Sequence, residues 1–156
     1  MRIFFLATIP LITAFIGYII SMKFAISHEF WEDFSFWHKK IKSEISFSQR
    51  SILEIFNNFE DLNKSELFLS VAKDYVKNQK TTIKLNFLRK EEKEFINKYF
   101  VSLGTMDRDS QLKYLESLET ELNAFSLNAD SKNKKYRPLY VKMGFLIGLV
   151  VFILAI

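Results

Sequence analysis

Residues 3–22, IFFLATIPLITAFIGYIISM, run for twenty positions without a charged side chain, bounded by Arg2 and Lys23. At about 1.5 Å per residue, a helix of that length is roughly 30 Å long, the thickness of a bilayer's hydrocarbon core. The stretch predicts a membrane helix over 3–22. A secretory signal peptide is the competing reading, since both begin with a basic flank and an apolar run. The run exceeds the usual central region of a signal peptide, and KFAISHEF after it offers only Ala25 and Ser27 as a weak cleavage pattern, so an uncleaved anchor is preferred. Pro10 is tolerated in a membrane helix when the freed carbonyl finds another partner. Gly17 is a single point of possible close approach, weak evidence for a packing motif.

The opposite end repeats the feature on a shorter scale. Met143 to Ile156 holds fourteen residues with no charged or strongly polar side chain, about 21 Å of helix and short of a full span. Counting back through Val141 and Tyr140, with the Lys142 ammonium extended towards the headgroups, gives about seventeen residues and roughly 26 Å, enough for a locally thinned bilayer. A C-terminal membrane helix over 136–156 is expected, either continuous with the last domain helix (about 107–135) or kinked from it at Pro138, where one hydrogen bond is lost.

Between Ser131 and Lys142 stand Lys132, Lys134, Lys135, Arg137 and Lys142 with no acid among them. A basic flank beside an apolar helix predicts retention on the cytoplasmic side. Lys23 flanks the first run in a segment that also holds Glu29, Glu32 and Asp33, and with Arg2 outside it gives a weaker, conflicting signal. Nucleic acid is not an expected partner, because no aromatic-basic interleaving or binding module accompanies the cluster. The chain has no cysteine, which excludes disulfides, a thiolate nucleophile and cysteine-based metal sites.

The interior, expected as a cytoplasmic helical domain over 26–135, is long enough for a compact bundle. In FWEDFSFWHKKIKSEISF, Phe30, Phe34, Trp37, Ile41 and Ile45 recur at three or four positions and share one helix face. SQRSILEIFNNF follows with Ser48 or Ser51 as a cap, Glu54 completing a capping box, and Ile52, Leu53, Ile55, Phe56 and Phe59 as apolar positions. SELFLSVAKDYVK repeats the arrangement, with Ser65 as cap and Leu67, Phe68, Val71 and Val76 inward, and NQKTTIKLN then reads as a connector. Next, Phe95, Ile96, Tyr99, Phe100 and Leu103 face inward ahead of Gly104, a residue suited to closing a helix. Glu91, Glu92 and Glu94 form the acidic first turn of that helix, where free amides favour them. The last helix has apolar positions at 112, 115, 118, 122, 125 and 129, and Asp107 and Asp109 at its start are capping residues.

Convergent catalytic chemistry is missing. His28 and His38 are ten residues apart, match no zinc spacing, and read as partly exposed helix residues. Neither a phosphate-binding glycine loop nor a nucleophile elbow is present. No enzyme, cofactor or metal is expected, which leaves an assembly component or an anchored binding domain.

SLGTMDRDSQLKYLESLETEL followed by NKKYRPLYVKMGFLIGLVVFILAI resembles the stage III sporulation protein AB family. The positions carrying the likeness are Leu103, Gly104, Asp107, Gln111, Lys135, Tyr136, Arg137, Leu139 and Gly144, with Glu44, Ile45 and Phe47 matching a further feature in the first half. Met106 stands where the family usually has Ser, so Thr105 or Asp107 must cap the last helix. Pro138 and Tyr140 replace a usual Ser and Gly, and Lys142 interrupts an otherwise apolar stretch. The resemblance implies an all-α helical bundle like the cytoplasmic domain of the type II secretion platform protein, flanked by two membrane helices. It further implies a non-catalytic component of a channel complex in the mother-cell membrane around the forespore. Its partners there would be a secretion-type ATPase like stage III sporulation protein AA, other channel membrane proteins and, as a possibility, further copies of itself. From exposure alone, the polar face of the last helix, with Arg108, Lys113, Glu116 and Glu119, is the expected interaction surface. The alternative function is a signal-processed or singly anchored helical domain that binds a protein outside the cell.

Overall fold

The computed structural model describes residues 8–47, 54 and 55, 66–78 and 85–155. Among them all regular structure is helical: α1 (Ile9–Phe47), α2 (Glu66–Asn78), α3 (Lys90–Ser102) and α4 (Arg108–Ala155). Two compact units are built from these helices. One comprises Met1–His28 with Asn128–Ile156, the other Glu29–Leu127, so α1 and α4 each contribute to both.

The Glu29–Leu127 unit is organised by the aromatic face of α1. Phe30, Phe34, Trp37, Ile41 and Ile45 are all buried, as their spacing predicts, and Trp31 joins them. Phe34 is the hub. Its ring lies within 6.1 Å, centroid to centroid, of Phe30, Trp31, Phe68, Phe95, Tyr99 and Phe100, mostly edge to face. Such pairs add about 0.5–1.5 kcal/mol each to the burial of their area. α2 supplies Phe68, Val71 and Ala72; α3 supplies Phe95, Ile96, Tyr99 and Phe100; α4 supplies Leu115, Leu118 and Leu122. Leu112 and Phe125 in α4 are only partly buried, although the Phe125 ring stacks on Trp31 at 4.9 Å.

The helix ends follow local chemistry. The Arg89 backbone amide donates to Glu92 Oε2 at 2.6 Å, a reciprocal cap that explains why Glu92 is buried in the acidic first turn of α3. At the other end, the Leu103 amide donates to the Phe100 carbonyl and Gly104 takes φ 77°, left-handed backbone that disfavours a side chain. The expected Ser48, Ser51 and Ser65 caps, the apolar positions Ile52, Leu53, Phe56 and Phe59 and most of the NQKTTIKLN connector lie outside the described residues, as does the Val76 side chain. Ile55 is described, helical and buried.

In the other unit the apolar parts of α1 and α4 pack antiparallel. Both helices are long and apolar enough to cross a membrane, and only 11% and 6% of their most apolar windows are buried. A core helix of a soluble protein would be mostly covered, whereas here Leu11, Phe15, Leu146, Ile153 and Leu154 all lie on the outside. α4 is continuous through Pro138, although proline removes the amide that would otherwise bond the Lys134 carbonyl.

Candidate functional site

Leu103, Gly104, Asp107 and Gln111, four of the positions that carry the resemblance, meet at the turn between α3 and α4. Gln111, 2% exposed, accepts a 3.0 Å hydrogen bond from the Gly104 amide through Oε1. Its backbone amide donates to the Asp107 carbonyl at 2.8 Å. Asp107 Oδ2 accepts from the Ser110 amide at 3.1 Å, so Asp107 rather than Thr105 caps α4; the Thr105 hydroxyl instead donates to the Ser102 carbonyl. Hydrogen bonding from Ser110 holds the Asp107 carboxyl below its ordinary range. Leu103 is buried beside this turn. The group is architectural: it closes α3 and starts α4 in a fixed direction. At the end of α1, Glu44 is half-buried, Ile45 is in the core and Phe47 is 90% exposed.

The polar face of α4 is partly engaged. Lys42 of α1 donates to Glu119 at 2.9 Å and reaches Glu116 at 3.8 Å. The hydrogen bond and charge of Lys42 hold the Glu119 carboxyl below its ordinary range. The Arg108 guanidinium donates to the Ser46 carbonyl. Of the four residues expected on this face, Arg108 and Glu119 therefore tie α4 to α1, while Lys113 is exposed and the Glu116 side chain remains 63% exposed.

His38 differs from its expected partial exposure. It is 1% exposed, with Nδ1 3.2 Å from the Tyr99 hydroxyl, and Nε2 has no hydrogen-bond partner among the described residues. Burial lowers its pKa to about 4 against the pull of Glu119, and burial raises that of Tyr99. The ring is thus a neutral core residue on the α1–α3 seam. Among the described residues no cluster of three or more His, Asp or Glu side chains is arranged to hold a metal.

The helix pair of the other unit is packed by small residues. A methyl on Gly17 would lie 2.5 Å from the Tyr140 carbonyl oxygen, and one on Gly144 2.5 Å from that of Thr13. On Gly148 it would collide with Thr13 Oγ1 and come within 2.6 Å of Pro10 Cα. Ser21 is also buried, its hydroxyl donating to the Tyr18 carbonyl. Thr13, Gly17 and Ser21 stand four apart, as do Tyr140, Gly144 and Gly148. Gly144 and Gly148 form the Gly-x-x-x-Gly spacing that lets membrane helices approach closely. That spacing is visible in the sequence, whereas Gly17 has no glycine four positions away to signal it.

Beyond this seam the Phe24 ring meets Tyr136 at 5.5 Å and Tyr140 at 5.6 Å. Lys23 lies over the Phe24 and Tyr140 rings, and Lys135 over Tyr136. Asp130 pairs with Lys134 at 2.7 Å and lies 3.9 Å from His28. Lys132, Arg137 and Lys142 form no ion pair among the described residues, and Leu139 is exposed.

Comparison with curated proteins and with solved structures finds no match. The family model for stage III sporulation protein AB, however, matches residues 2–156, and with nearly the whole chain covered the protein belongs to that family.

Proposed function

We propose that the chain is a membrane-held, platform-like adaptor that seats a secretion-type ATPase, similar to stage III sporulation protein AA, within the channel complex between mother cell and forespore. Membership of the family makes it a non-catalytic component of a sporulation membrane complex; the ATPase, the mother-cell membrane and the orientation are the further reading. On this reading residues 3–22 and 136–156 are membrane helices, and the intervening 26–135 faces the mother-cell cytoplasm.

The observation that carries it is the glycine-packed pairing of the two apolar segments. Antiparallel segments in close contact support two anchors in one membrane, holding a helical unit on a single side. The same pairing argues against a removed signal peptide, whose loss would strip Gly144 and Gly148 of their cover. Ala25 and Ser27 lie within α1 rather than in extended chain. The acid-free basic run before the second segment supports the cytoplasmic side.

The contact surface for the ATPase is assigned to Lys113 and Glu116, the members of the α4 polar face with the fewest obligations to α1. The test is co-purification of the ATPase from membranes of sporulating cells. Charge reversal at Lys113 and Glu116 is expected to abolish recruitment; undiminished recruitment would sink this surface. Labelling of cysteines placed at Ser43 and Ser131, expected only after the membrane is opened, checks the orientation.

A further inference from the structure

The register of the helix pair fixes how deep each cation lies. Gly17 contacts both Tyr140 and Gly144, so Lys142, midway between them on α4, stands level with Gly17. Lys23 is six positions from Gly17 along α1, which places Lys142 about 9 Å further into the apolar pair. Lys142 is exposed, and so are Leu139, Met143, Phe145 and Leu146 around it. A cation in that position is costly unless an anion meets it or its ammonium reaches the interface. No acid of this unit can serve: Asp130 is the only one, and it is held by Lys134.

We propose that this end of the helix pair binds the headgroups of anionic phospholipids, with Arg137 and Lys142 as the cations that capture their phosphates. The surface combines two demands. Its anion must sit against Lys142 while an apolar chain covers Leu139, Met143 and Leu146, and a phospholipid presents both groups in one molecule. An acidic peptide or free phosphate would satisfy only the charge. The Lys142 stem is long enough to carry its ammonium about 6 Å along the helix towards the level of Arg137. The Phe24, Tyr136 and Tyr140 rings stand at the same end, where aromatic side chains favour the headgroup boundary. The phosphates are thereby drawn inward along α4, which shortens the hydrocarbon that its apolar end must cross.

The test uses the full chain in bilayers containing spin-labelled phosphatidylglycerol or phosphatidylcholine, and reads the motionally restricted lipid fraction. Phosphatidylglycerol is expected to be preferred about threefold or more, with the preference shrinking as salt is added. Arg137→Gln with Lys142→Gln should remove the preference, Lys142→Arg should keep it, and Lys113→Gln should leave it unchanged. Equal association of the two lipids, or a preference that survives the double substitution, would overturn the proposal. Tryptophan emission, which arises only from Trp31 and Trp37, checks that the Glu29–Leu127 unit of each variant is folded, and an undiminished restricted fraction of phosphatidylcholine checks that its helix pair remains in the bilayer. No other protein is present, so the outcome is independent of the ATPase reading.

Discussion

The two units of this chain are held together by opposite means. In Glu29–Leu127, large rings fill the space between helices, and Phe30, Trp31, Phe34, Phe68, Tyr99 and Phe100 are all inaccessible to solvent. In the paired apolar segments the seam is made where side chains are absent, at Gly17, Gly144 and Gly148. The difference follows from the solvent each seam competes against. Water drives phenyl and indole rings together because burying their area is favourable. Hydrocarbon offers no such drive between apolar helices, so contact must come from close backbone approach and dispersion. Phe34 and Phe68 are accordingly core residues in one unit, whereas Phe15 and Phe145 in the other face away from the glycine seam.

The largest expected effect comes from removing the aromatic hub. Phe34→Ala deletes a ring that touches six others and should destabilise the Glu29–Leu127 unit by about 4 kcal/mol. Denaturant unfolding of the detergent-solubilised protein, followed by tryptophan emission, measures it. A loss close to that of a surface substitution would mean that the ring cluster does not carry the unit.

The complementary change adds atoms instead of removing them. Gly148→Leu places a side chain against Thr13 and Pro10, and it should weaken the helix pair by about 2–3 kcal/mol. Because the chain has no cysteine, spin labels can be placed through Leu11→Cys and Leu146→Cys, both outward positions. Their distance distribution in bilayers should broaden in the leucine variant while tryptophan emission stays unchanged. If the emission shifts as much as the distances, the two seams do not behave as separate devices.

This contrast also explains what could be read before the structure. The aromatic face of α1 was legible because a three-four spacing of Phe30, Phe34, Trp37, Ile41 and Ile45 has one meaning on a helix. Gly104 was equally legible as a helix-closing residue. Trp31 and His38 were not, since they lie beside that stripe and become buried only when α3 and α4 widen the covered face; Tyr99, the partner of His38, is 61 residues away. The α4 polar face suffered from the same blindness to tertiary neighbours. Nothing local signals that Lys42 and Ser46 of α1 would engage Glu119 and Arg108. The glycine seam is a different case, because the Gly144–Gly148 spacing is local, yet its meaning depends on small residues at matching intervals in a segment more than a hundred positions earlier.

The smallest of the three effects tests how dry the aromatic seam is. His38 has its pKa lowered from 6.5 to about 4, mainly by burial. An unfolded chain takes up a proton on this ring as pH falls through 6.5, whereas the folded unit does not until about pH 4. The stabilisation is therefore complete above 6.5 and is lost progressively as pH drops towards 4, with about 2 kcal/mol of it lost between 6.5 and 4.5. Glu119 shifts in the other window: its lowered carboxyl pKa gives stability that is retained above 4.5 and lost only below it. The interval from 6.5 to 4.5 thus reads the histidine. Unfolding midpoints measured across that interval should fall for the native chain and stay level for His38→Gln, which fills the site without a titrating ring. A native midpoint that does not move would mean that water reaches the ring, and the unit would then be less tightly closed around α1 than its aromatic contacts imply.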